Sequence, residues 1–218
     1  MDFKIDWLSF TLREFTPPRS AAELYNQGKI ALRKVSRDAE KTFFDGQGFD
    51  PANARAPYRI SIARDDNGAR IYGSSHTETS LFELSGRGCE PIRGHEATRD
   101  MLSGIADSVT RIDFAIDILD GCRPPEFANA REHNRFRSIS YIKSRTGETV
   151  YVGSPKSDRF CRVYRYDPSH PRSELLRVEF VFRKKLARAA AEDYIATDDK
   201  ATYIGKLGNT YGFDHAIW

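Results

Sequence analysis

Cysteine is scarce in this chain. Only Cys89, Cys122 and Cys161 occur among 218 residues, an odd number with no Cys-x-x-Cys spacing. That argues against a disulfide framework and a cysteine-based zinc site, and points to a reducing cytoplasm. Long apolar runs are missing too: none approaches the roughly 18–20 residues that a bilayer-spanning helix needs. The N-terminal stretch MDFKIDWLSFTL mixes charged and apolar residues where a secretory signal would need an apolar block, so a cytoplasmic location without a membrane partner is expected. The five histidines (His76, His95, His133, His170, His215) lie far apart and form neither His-x-His nor HExxH. No GxxxxGK[ST] occurs, which argues against a built-in ATPase. Gly46-Gln47-Gly48 and Gly86-Arg87-Gly88 lack the rest of a dinucleotide fingerprint and read as turns. No nucleophile-elbow pattern supports Ser-His-Asp chemistry.

Charge of one sign is also in small excess overall, +3 from 34 basic and 31 acidic residues. Its distribution is uneven. From Arg131 to Arg188 there are fifteen Lys or Arg against six Asp or Glu, so the rest of the chain is net acidic. The basic residues of this half recur inside expected strands (Arg159, Arg162, Arg165, Arg177, Arg183), interleaved with Tyr151, Tyr164 and Tyr166. Cations alternating with aromatics on a sheet suit a phosphate backbone with stacked bases. A solvated basic face without a partner is the plainer alternative.

The pattern of the chain is that of an α+β protein: a mainly antiparallel central sheet with helices packed on it, in a single domain over 1–218. The core is expected over about 3–185 and a helical segment over about 185–218. No internal repeat is visible in the sequence. Alternation predicts strands at 3–12, 58–63, 69–72, 81–85, 109–119, 137–143, 149–153, 159–166 and 175–183. Helices are expected from Ser20, a capping residue, to Val35, near His95–Ala106, around Glu126–Glu132, at Lys184–Ile195 and at Ala201–Leu207. Asp66-Asn67-Gly68 reads as a hairpin turn, and 45–57, rich in Gly, Pro and Asn, as a loop.

Two features carry chemistry. In 109–119, Ile112, Phe114, Ile116 and Ile118 share one face, and Asp113, Ala115 and Asp117 the other. In 175–183, Val178, Phe180 and Phe182 oppose Arg177, Glu179 and Arg183. If the strands share a sheet, Asp113, Asp117 and Glu179 converge on an oxygen-ligand site for Mg²⁺ or Mn²⁺. Otherwise these acids pair with Arg111, Arg177 and Arg183. The second feature is Tyr164, which shares a strand face with Arg162 and Tyr166. A phenol is a poor nucleophile at neutral pH, but a guanidinium and a divalent cation nearby favour its phenolate. The plain alternative is a packing tyrosine.

The segments IDWLSFTL (5–12), LFELSGRGCE (81–90), VTRIDFAIDILDG (109–121), TVYVGSPKSDRFCRVYRYD (149–167) and LLRVEFVFRKK (175–185) occur in an order that resembles the replication initiation factor family. That family comprises rolling-circle initiators of the Rep_trans type, related filamentous-phage replication proteins and relaxases of conjugative elements. The resemblance implies site- and strand-specific DNA nicking by a tyrosine that stays linked to the 5′ phosphate and frees a 3′ hydroxyl. It assigns the nucleophile to Tyr164, with Tyr166 as second choice. It assigns the metal ligands to Asp113 and Glu179, with Asp117 beside them, and the metal to Mg²⁺ or Mn²⁺. Arg162 stands first, before Lys156 and Arg159, for holding the scissile phosphate, with Arg165 and Arg177 as further DNA contacts. The implied partners are single-stranded DNA or an extruded origin, a host helicase and polymerase, and a second copy of the chain. The alternatives are a non-catalytic DNA-binding or regulatory protein on the same scaffold and a metal nuclease that uses water.

Overall fold

The computed structural model describes residues 2–13, 18–44, 48–64, 68–92, 94–119, 123–129, 138–144, 147–165 and 175–211. Among them ten strands form one sheet: β1 (Asp2–Arg13), β2 (Phe49–Ala52), β3 (Ile60–Arg64), β4 (Ala69–Gly73), β5 (Thr79–Ser85), β6 (Val109–Leu119), β7 (Ile139–Ser144), β8 (Gly147–Val152), β9 (Arg159–Arg165) and β10 (Leu175–Arg183). The helices are α1 (Ala21–Val35), α2 (Arg37–Phe44), α3 (His95–Ile105), α4 (Pro124–Asn129), α5 (Lys185–Ile195) and α6 (Lys200–Tyr211), with 3₁₀ turns at Gly86–Ile92 and Ala106–Ser108. The α+β class and the antiparallel sheet agree with the sequence reading, and every described strand pair is antiparallel.

The strand order is β2-β3-β4-β5-β1-β6-β10-β9-β8-β7. It reads the same from both edges inward. In each half a first strand (β1 or β6) runs into helix, then into a four-strand meander whose last strand (β5 or β10) returns beside the first. The two first strands pair antiparallel at the centre, so a pseudo-twofold axis normal to the sheet relates the halves. The sequence showed no repeat; the repeat is one of topology.

Among the described residues the helices pack on one face of the sheet and leave the other open. The apolar cluster takes one parity from each strand: Ile112, Phe114, Ile116 and Ile118 of β6, Leu176, Val178, Phe180 and Phe182 of β10, Cys161 and Val163 of β9, Phe82 and Leu84 of β5. Onto these the helices lay Leu24 and Leu32 of α1, Leu102 and Ile105 of α3, Phe127 of α4, Ala187 and Tyr194 of α5, and Tyr203 and Leu207 of α6. The parity switches in β1. Phe3 and Ile5 point to the helices, then so do Leu8, Phe10 and Leu12, because a bulge lies between Ile5 and Trp7. An inserted residue bends a strand and re-aims the side chains beyond it. Here it brings Trp7 and Ser9 to the open face, next to Asp6.

Three expectations are corrected locally. The segment 45–57 is not loop throughout, because Phe49–Ala52 pairs with β3. It is an edge strand, the position where a sheet accommodates Pro51. A second helix, α2, follows α1 across Ser36, whose N–H still donates to Leu32 O at 2.9 Å. The helix expected at Glu126–Glu132 begins two residues earlier, at Pro124, and its expected end lies outside the described residues. So do Asp66 and Asn67 of the expected turn. Ser20 caps α1 as expected, accepting the Glu23 N–H at 3.2 Å.

Candidate active site on the open face of the sheet

Strand parity decides which candidates meet. Arg162 and Tyr164 of β9 alternate with Cys161 and Val163, which belong to the covered core, so both project from the open face. Glu179 of β10 lies directly opposite Arg162. On its other side Ala115 of β6 faces it, and Asp113, two residues along, shares that face. Four candidates, Tyr164, Arg162, Glu179 and Asp113, therefore come together on three adjacent strands.

Their contacts are direct. The Tyr164 hydroxyl donates to Glu179 Oε1, and Arg162 Nε donates to Glu179 Oε2. Arg162 Nη2 lies 3.8 Å from Asp113 Oδ2. Arg111 holds the same aspartate bidentately, Nε to Oδ1 at 2.9 Å and Nη2 to Oδ2 at 2.5 Å. Asp113 and Glu179 are 1% and 0% exposed, whereas the Arg162 side chain keeps 30% of its surface in solvent. The buried acids thus form the floor, and a guanidinium and a phenol form the rim.

Burial pushes the Asp113 carboxyl above its ordinary value against the hydrogen bond from Arg111. Burial likewise pushes Glu179 up against the charge of Arg162. The charge of Asp6 raises both further. The Tyr164 phenol is pushed far above its usual value, by burial first and by the Glu179 charge second. At rest the pair is a neutral phenol donating to a carboxylate with raised proton affinity. Arg162 stays charged: burial opposes its charge, and Glu179 outweighs burial.

Asp117 stands apart from this group. Its oxygens accept from Arg177 Nε at 2.6 Å, Arg177 Nη2 at 2.8 Å and Lys4 Nζ at 2.6 Å. Burial would raise its pKa, but the hydrogen bonds from Arg177 and Lys4 outweigh that and leave it below the ordinary value. Arg177, expected among the DNA contacts, is 2% exposed and also reaches Asp6 at 3.2 Å. It works as a buried tie between β1, β6 and β10. Arg159 and Arg165 share strand parity with Cys161 and Val163, so they lie on the helix side, opposite Tyr164. Lys156 is exposed in the turn before β9, where Arg183 Nη1 donates to Pro155 O at 2.8 Å. Tyr166 lies outside the described residues.

Among the described residues no group of three or more His, Cys, Asp or Glu side chains is placed to hold a metal ion. The expected convergence of Asp113, Asp117 and Glu179 splits, with Asp117 in its own ion-pair cluster. The remaining donors fit the chemistry of a hard cation. Asp113 and Glu179 are buried carboxylates whose proton affinity is raised by burial, with Asp6 adding to both and Asp113 adding to Glu179, and oxygen donors suit Mg²⁺ or Mn²⁺. Asp6 was not among the residues expected from sequence. The dipeptide Ile5-Asp6, repeated as Ile112-Asp113, was the available signal.

A two-layer α+β protein, with a tyrosine, arginine and buried-acid centre on the open face of an antiparallel sheet, is the class that fold and site define. The fold is shared with the rolling circle replication initiator protein from Geobacillus stearothermophilus, at a TM-score of 0.67 over 96% of this chain and 85% of that one, with 18% sequence identity. At that identity the likeness is one of fold, and at that level it agrees with the resemblance read from the sequence. No protein-family model matches the chain, and no curated protein matches it. Among the described residues no helix is long and apolar enough to cross a membrane.

Proposed function

We propose that this protein nicks and rejoins single-stranded DNA by transesterification at Tyr164, initiating rolling-circle replication or element transfer. The observation that carries the reading is the hydrogen bond from the Tyr164 hydroxyl to the buried Glu179 carboxylate, at the exposed rim of the open sheet face. Tyr164 Oη attacks the phosphorus, its proton passes to Glu179 Oε1, and the bond to the 3′ oxygen breaks. The 3′ oxygen leaves as a hydroxyl after taking a proton from solvent, and the 5′ phosphate stays on the tyrosine. Because one phosphoester replaces another, rejoining needs no ATP.

Arg162, bonded to Glu179 and partly exposed beside Tyr164, is placed to hold the non-bridging oxygens and stabilise the charge that builds on them. Arg111 and Arg177 position the acids. Mg²⁺ or Mn²⁺, held by Asp113 and Glu179 with Asp6 beside them, would add Lewis-acid stabilisation of the phosphate. Lys156, at the turn before β9, extends the basic rim toward the flanking strand.

A second reading, a DNA-binding protein that does not cut, is favoured by one observation: Arg111 and Arg162 already occupy Asp113 and Glu179. A single experiment separates the two. Incubation with single-stranded oligonucleotides and Mn²⁺, followed by a denaturing gel, gives a slow-migrating covalent adduct that is lost in Tyr164→Phe. Binding without cleavage supports the second reading. Cleavage with an adduct that survives Tyr164→Phe moves the nucleophile elsewhere, and cleavage with no adduct at all points to activated water.

A further inference from the structure

The pseudo-twofold that relates the two halves also relates the candidate active site to a second constellation. Arg162-Val163-Tyr164 of β9 has its counterpart in Arg70-Ile71-Tyr72 of β4. Arg162 faces Glu179 on β10, and Arg70 faces Glu83 on β5. Glu179 lies opposite Ala115 of β6, and Glu83 opposite Ser9 of β1. Both sets lie on the open face.

The copy departs from the original at two points. Two residues before Ser9 stands Trp7, where the corresponding residue of β6 is Asp113, so an indole replaces the second carboxylate. The Tyr72 hydroxyl lies 3.4 Å from Arg70 Nη1 instead of meeting the acid. The chemistry of cutting is gone, and the means of holding something flat remain. A cavity of about 330 Å³ opens between Trp7, Arg55, Arg70, Tyr72 and Glu83, at the lower end of the ~300–1,000 Å³ typical of small-ligand sites. Its walls are fixed. The Trp7 indole N–H donates to Ser9 Oγ at 2.7 Å, and the Arg111 guanidinium lies 4.3 Å from the ring centroid. Arg55 covers the Tyr72 ring at 4.7 Å and pairs with Glu83.

We propose that this cavity is a second single-stranded-DNA subsite, which holds one unpaired guanine without cutting it. The inference rests on the DNA-handling part of the proposed function. The Trp7 indole supplies stacking surface, and base–aromatic stacking is worth about 1–3 kcal/mol per base. Specificity comes from the polar groups. A carboxylate such as Glu83 selects adjacent N–H donors, and a guanidinium such as Arg70 selects adjacent acceptors. Guanine carries two adjacent N–H donors on one edge and the O6/N7 acceptor pair beside it. The other three bases lack that pair of neighbouring edges. Three strand spacings and four residues of rise separate Glu83 from Glu179, about 20 Å in all, so one strand of DNA can engage both sites.

The test reads binding without cleavage. Trp218→Phe leaves Trp7 as the one indole of the chain, and its emission is titrated, without metal, with a thymine hexanucleotide carrying one central guanine and with its all-thymine counterpart. The guanine oligonucleotide is expected to quench Trp7 saturably and at least tenfold more tightly. Arg70→Ala and the size-conserving Glu83→Gln are each expected to erase that preference, while Tyr164→Phe preserves it. Equal affinity for the two oligonucleotides, or a preference that survives both Arg70→Ala and Glu83→Gln, overturns the proposal. The covalent adduct at Tyr164 is scored separately. Adduct without guanine preference sinks the subsite alone, and guanine preference without adduct sinks only the nicking reading.

Discussion

At the residue scale, two acids of the same strand, four residues apart, have opposite electrostatics. Asp117 is held below its ordinary pKa by Arg177 and Lys4 after burial has been overcome. Its unfolded form binds the proton more readily, so its contribution to stability is full above the unfolded value near 3.9 and is lost as pH falls through the lower folded value. Asp113 and Glu179 are raised by burial. Their folded forms take the proton first, so their cost at neutral pH is relieved as pH falls through their folded values. Asp117→Asn should therefore destabilise the protein at pH 7 by about 3–5 kcal/mol, because it removes the buried carboxylate that Arg177 and Lys4 share. In urea melts the difference from wild type should shrink as pH falls toward 3. Glu179→Gln should act on chemistry instead. It should lower the rate of adduct formation by about 10²-fold or more, with affinity for a non-cleavable oligonucleotide changed less than about threefold.

The individual acids and the tyrosine were legible because strand alternation is a strong signal and these residues stand opposite unbroken apolar runs. Their grouping was less so. Nothing in Asp113-Phe114-Ala115-Ile116-Asp117 says that the first acid meets Glu179 while the second meets Arg177 and Lys4. That partition is set by register: Asp117 lies opposite Arg177, and Ala115 opposite Glu179. Arg159 and Arg165 illustrate the same point, since a basic strand reads as one surface until parity divides it.

At the element scale, most of the strands could be read from alternation, and the misses have local causes. Phe49-Asp50-Pro51-Ala52 has no alternating pattern, because an edge strand pairs on one side only and its exposed residues are unconstrained. Gly86-Arg87-Gly88 reads as a turn in the sequence and opens the 3₁₀ stretch Gly86–Ile92, which sets a close packing contact. A Cβ on Gly88 would lie 1.7 Å from Gly68 O. Backbone against backbone cannot yield as a side chain can. Gly88→Ala should cost about 3 kcal/mol or more, read as a lowered urea midpoint, or prevent folding outright.

At the scale of the whole molecule, the basic residues of the second half divide between the two faces of the sheet. Arg183 lies on the open face, Lys156 is exposed in the adjoining turn before β9, and Arg165 lies on the helix side. If the face holds single-stranded DNA, Lys156→Ala and Arg183→Ala should each reduce the slope of log affinity against log salt by about 0.7. Arg165→Ala should leave the slope unchanged in the same fluorescence titrations. The fold class was readable from hairpin spacing and helix blocks. The twofold arrangement was not, because the halves share a pairing scheme and a few dipeptides, too little for any repeat to show in the sequence.

The central seam of β1 against β6 has a consequence for how the chain is made. Until residues 109–119 leave the ribosome, β1 lacks one of its two neighbours, and the first half carries an unsatisfied hydrogen-bonding edge lined by Phe3, Ile5 and Leu8. Native-state amide exchange should record the finished version of that dependence, with protection greatest at the two seam strands and fading outward to β2 and β7.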